Sequence, residues 1–106
     1  MKVPAEITRA SISDNELVLP YKEALQFVDW AAETGTRLLG WEGWFLYPNG
    51  NMGHSLKYQG TVSLHKLSVL EACEVIRGTI EEAQAEWVKC PEPVGALLRY
   101  CITVDT

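Results

Sequence analysis

From Pro20 onward the apolar positions fall at helical spacing, with Tyr21, Ala24, Leu25, Val28 and Ala31 recurring at i, i+3, i+4 and i+7. Pro20 suits a first-turn position and Gly35 the left-handed residue after the last turn. The pattern predicts a helix over about 20–34. A second helical stripe runs through Val69, Ala72, Cys73, Ile76, Ile80, Ala83 and Trp87. Ser68 and Glu71 stand at the spacing at which each side chain satisfies the other's orphan backbone N–H, so this helix starts at Ser68. It continues to about Lys89, where Cys90-Pro91-Glu92-Pro93 stops it.

Between the helices the period changes. Thr36 to Trp41 is a short β-branched, aliphatic and aromatic run that reads as a strand. Glu42 and Gly43 then make a two-residue turn or a bulge before a second strand, Trp44 to Tyr47. Pro48-Asn49-Gly50-Asn51 is a tight turn, because Asn-Gly tolerates positive φ. Met52 to His54 extend that loop, and Leu56 to Val62 form a third strand with Gly60 as a bulge or edge weakness. At the C-terminus Leu98, Tyr100, Ile102 and Val104 alternate with Arg99, Cys101 and Thr103, a terminal strand. Residues 1–19 read as one or two edge strands or a packed arm. The order (β)-α-β-β-β-α-β describes an α+β domain over residues 1–106, an antiparallel sheet with both helices on one face. The other face is then open to water or a partner.

Composition narrows the function classes. Of 106 residues, 47% are apolar and 22% charged, which fits one globular domain with its own core and argues against disorder. No apolar run approaches the roughly 20 residues that span a bilayer, and charges at Lys2, Glu6 and Arg9 leave no signal-peptide core, so a cytoplasmic protein without membrane contact is expected. The net charge of −5 opposes direct binding to a phosphate backbone, making nucleic acid a poor ligand. Residues 68–93 hold six acids and two bases, which is either a solvated helix face or an acidic surface for a basic partner.

Candidate chemistry is sparse. Cys73, Cys90 and Cys101 are an odd count without a C-x-x-C pair, so neither zinc nor a disulfide framework is indicated. Cys73 and Cys101 read as core thiols and Cys90 as an exposed one. His54 and His65 have no nucleophile at a recognised spacing, and no phosphate-binding glycine pattern occurs, so no cofactor is expected. The aromatics say more. Trp41, Trp44, Tyr47 and Tyr58 crowd into one segment, either as core or as an interaction surface beside acids. Since a strand alternates faces, Trp44 and Leu46 cannot share a side with Phe45 and Tyr47.

Leu38-Leu39-Gly40-Trp41-Glu42-Gly43, preceded by an amphipathic helix ending at Gly35 and followed by Tyr47-Pro48-Asn49-Gly50, resembles the immunity proteins of tRNA-cleaving colicin-type bacterial toxins. The acidic helix and the closing Tyr100-Cys101-Ile102-Thr103-Val104 strand follow in the same order, so the resemblance spans residues 20–104 in outline. It implies a small acidic cytoplasmic inhibitor, not an enzyme, that blocks the RNA-binding cleft of a basic ribonuclease. By position Glu42 takes the acidic turn residue of that family. Trp44, Tyr47 and Tyr58 join it as partner-binding candidates on the aromatic argument alone. Two other readings stand: an accessory interaction domain, such as a homodimer using a free sheet edge, and a small hydrolase or transferase using His54 or Cys90.

Overall fold

A computed structural model describes residues 3–13, 15–62 and 66–105. His65 lies outside the described residues. The elements follow as α1 (Ala5–Thr8), β1 (Val18–Leu19), α2 (Tyr21–Thr34), β2 (Leu38–Leu46), β3 (Met52–Thr61), α3 (Val69–Lys89) and β4 (Leu97–Val104). The four strands form one antiparallel sheet in the order β1-β4-β2-β3. The fold is α+β, as the periodicity predicts, with α2 and α3 packed on one face of the sheet. The N-terminal stretch resolves into a single helical turn, an arm, and a two-residue edge strand on β4.

Both long helices end where their capping residues dictate. Gly35 takes the left-handed conformation at φ 73° and returns its N–H to the Ala31 carbonyl. Ser68 Oγ accepts the Glu71 N–H at 3.1 Å while Glu71 Oε1 accepts the Ser68 N–H at 2.9 Å. These bonds to the charged form hold the Glu71 carboxyl below its ordinary range. The helices bury Ala24, Phe27, Val28 and Ala31 from α2 and Ala72, Cys73, Ile76, Ile80, Ala83 and Trp87 from α3. Each fully buried Ile or Phe contributes on the order of 2 kcal/mol. Tyr100, wholly buried, is the hub: its ring meets Tyr21 at 6.1 Å and Trp41 at 5.3 Å, and its hydroxyl donates to Gln84 Oε1 at 2.7 Å. Arg77 ties α3 to α2 through Asp29 and the Leu25 carbonyl.

The hairpin differs from the expectation. Residues 36–41 and 44–47 are not two strands; Leu38–Leu46 is one, and of the two readings of Glu42–Gly43 the turn is excluded, the irregularity being a bulge in the strand opposite. The sheet therefore has four strands where the predicted order, with its N-terminal edge strand, has five. Gly43 is there for space: a Cβ at this position would lie 3.0 Å from Tyr58 Cβ and 3.1 Å from Leu98 Cδ1. Met52 to His54 already pair with Leu46 to Trp44, so they are strand and not loop. The bulge itself belongs to β3. Trp44 pairs with His54 and Glu42 with Gln59, so four residues, Ser55 to Tyr58, stand opposite the single Gly43. Ser55 Oγ accepts the N–H groups of Lys57 and Tyr58 at 3.2 and 3.0 Å, satisfying donors that the ladder has lost. Gly60 is no bulge: it pairs with Trp41 in register.

Candidate partner-binding surfaces

Register divides the hairpin side chains between the two faces of the sheet. Trp41, Gly43 and Phe45 point to the helices, where Phe45 and Tyr58 pack on Trp87 at 5.6 and 6.3 Å. Gly40, Glu42, Trp44 and Leu46 point to the opposite face, alongside Thr103, Cys101, Arg99 and Leu97 of β4. Tyr47 lies half-buried beside Phe45, with ring centroids 6.4 Å apart.

Of the four residues expected to contact a partner, Trp44 and Tyr58 do not present their rings to solvent. Trp44 is 8% exposed and Tyr58 6%. Tyr58 is core because the β3 bulge turns it inward over Gly43 toward Trp87. Trp44 is covered from the other direction. The N-terminal arm crosses the face that the helices leave bare, and Ile12, Val18 and Cys101 close over the indole. Ser11 holds that arm in place: its hydroxyl accepts the Val18 N–H at 3.0 Å and reaches the Glu16 carbonyl at 3.0 Å. The face predicted to be open is therefore open only in part.

What remains accessible there is a polar cluster. Glu42 Oε1 accepts the Trp44 indole N–H at 3.2 Å and lies 3.3 Å from His54 Nδ1, while the imidazole sits 4.5 Å from the Trp44 ring centre. Glu42 and His54 thus hold Trp44 in place, and both keep solvent contact. Beside them Arg99 is held below its ordinary guanidinium range by burial; its Nε has no partner among the described residues, and Nη1 donates to the Leu98 carbonyl at 3.1 Å.

The acids of α3 lie on the far side of the sheet from Glu42. The two do not form one surface. Glu74, Glu81 and Glu82 are exposed and make no ion pair among the described residues, whereas Glu86 pairs with Lys57 at 2.9 Å. Positions 74 and 81 are two helical turns apart, so they share a stripe, and the exposed Leu70 and Val75 lie beside it. No spacing argument weighted these two apolar residues, because exposure at the helix periphery is decided by what fails to pack on it.

The enzyme reading offers His54 or Cys90, and the two border the same groove. His54 and Cys90 line one groove of about 510 Å³ between β3 and the end of α3. Neither hydrogen-bonds the other. The Cys90 thiol donates to Glu92 Oε1 at 3.8 Å, and His54 turns to Glu42. Cys101, beside Glu42 on β4, is the less nucleophilic for its position: burial, with Glu16 and Glu42 nearby, pushes its thiol from 9.0 to about 12. All three cysteines are free thiols, and among the described residues no group of three or more His, Cys, Asp or Glu is placed to hold a metal ion. No described helix is long and apolar enough to cross a membrane. Neither a protein-family model nor a curated protein matches the sequence.

Proposed function

We propose that this domain is a non-enzymatic inhibitor that binds a basic protein, as the resemblance to toxin immunity proteins implies, and that the outward face of α3 makes the contact. A ribonuclease toxin domain in the bacterial cytoplasm is the partner class that the resemblance supplies. One observation carries the reading: Glu74, Glu81 and Glu82 are exposed on one helix face without an ion-pair partner among the described residues, next to exposed Leu70 and Val75. Unpaired carboxylates carry a field that reaches a basic surface before contact, and the flanking apolar side chains lose water once contact is made. A solvated helix that served no partner would need the acids but not the apolar neighbours. Glu42 adds to the same field from the other side of the sheet.

The test is co-purification with the product of the adjacent gene, followed by association and dissociation kinetics. Screening acts over about 10 Å at 0.1 M salt, so association is expected to slow as salt rises while dissociation changes less. Replacing Glu74, Glu81 and Glu82 together by Gln is expected to slow association about tenfold or more. Association that is indifferent to salt and to these three substitutions refutes the assignment of this face.

A further inference from the structure

The β3 bulge thrusts Leu56 out of the sheet edge, where it is 91% exposed. Across the groove described above it faces the last turn of α3 and the loop after it, with Phe45 and Tyr58 beneath and Lys89, Cys90 and Glu92 opposite. An exposed leucine at the rim of a groove floored by two aromatic rings differs from the scattered single residues of an ordinary surface. Charge here also departs from the rest of the chain. Lys57 and Lys89 balance Glu86 and Glu92, so the net charge of −5 lies entirely elsewhere. Lys57 and Glu86 neutralise one another at 2.9 Å, while Lys89 and Glu92 have no ion-pair partner among the described residues.

We propose that this groove rim is the contact between two copies of this chain. Leu56 of each copy enters the groove of the other, and Lys89 of each faces Glu92 of the other across a two-fold axis. A two-fold contact uses the same patch twice, so a patch that holds one cation and one anion, neither ion-paired among the described residues, is complementary to itself. Two acidic chains repel over most approaches, and this charge-balanced end is where that repulsion is least. A basic partner, in contrast, would meet Lys57 and Lys89 here. The surface is distinct from the α3 face assigned to the basic protein, so the two assignments stand or fall separately.

The experiment is sedimentation velocity on the full chain over a concentration series, with Lys89→Glu, Glu92→Lys and Leu56→Asp variants. All three positions are exposed, and unchanged circular dichroism confirms that each variant folds. The wild type is expected to show a two-copy species that grows with concentration. Each charge variant alone brings two pairs of like charges together and weakens association about tenfold or more. Leu56→Asp abolishes it. An equimolar mixture of Lys89→Glu with Glu92→Lys restores association, because each new charge then faces its opposite. A wild-type chain that stays monomeric through the series, or a mixture no better associated than its components, overturns the proposal. The first result includes the case of a groove that serves a different protein.

Discussion

Replacing Gly60 by Ala tests how the edge strand is locked to the core. A Cβ at this position would lie 2.8 Å from Trp41 Nε1, 3.1 Å from Thr79 Oγ1 and 3.3 Å from Trp41 Cδ1. The indole N–H donates to Thr79 Oγ1 at 2.8 Å, and the new methyl would sit on that bond. Trp41 cannot retreat, being 4% exposed and packed against Tyr100. Overpacking of this kind costs about 1–3 kcal/mol. Prising apart this part-buried donor and acceptor costs about 1–3 kcal/mol more. The substitution also lowers the entropy of the unfolded chain, which returns about 0.4–1 kcal/mol. The expected net loss is about 3 kcal/mol, read as a lower urea midpoint at unchanged slope or a melting temperature lower by roughly 10–20 °C. In a Thr79→Ala background the hydrogen bond is already gone and the space is larger, so Gly60→Ala should cost at least about 1 kcal/mol less there. A loss below about 1 kcal/mol in the wild type, or the same loss in both backgrounds, refutes the account.

Alkylation of the native protein should label Cys90 alone, with Cys73 and Cys101 reacting only in denaturant, because burial raises both of the latter thiols and hides them; mass spectrometry counts the labels. Ser68→Ala should cost about 1 kcal/mol in a denaturant titration by opening the start of α3. Since the same cap depresses the Glu71 carboxyl, its contribution is present above the ordinary carboxylate range and is lost as pH falls through the folded value; Glu71→Gln should flatten that acid limb. Cys101 acts in the opposite direction. Its folded value is raised, so the unfolded chain releases its proton first, and stability should hold below pH 9.0 and decline toward about 12, less steeply in Cys101→Ala.

Where a single period governs a segment, spacing alone identifies the buried face. The buried stripe of α3 and its Ser68–Glu71 start follow from spacing, and α2 differs only in burying Phe27 more deeply than Leu25. The hairpin resisted because Gly43 has two readings. Glycine beside glutamate looks like a turn, whereas here it clears room for Tyr58 and Leu98 from other elements. Only the assembled sheet distinguishes the two. Trp44 is hidden for a related reason: alternation places it opposite Phe45, but its cover comes from an arm whose Ile12 carries no periodic signal. Cys90 and His54 share a groove that no spacing encodes. Of the four candidate contact residues, Glu42 remains accessible and Tyr47 half-covered, while packing from distant segments decides the fate of Trp44 and Tyr58.

The extra length of β3 closes on itself. Ser55 satisfies the displaced N–H groups locally, and the ladder resumes its pairing with β2 at Gln59 without disturbing Trp41 or Tyr100. Substitutions at Leu56 and Lys57 therefore change what the molecule presents to its surroundings at little cost to folding beyond the exposed Lys57–Glu86 pair. Descendants of one ancestral scaffold can diverge at these two positions and acquire new recognition while the helices, the cap and the aromatic hub stay under unchanged selection.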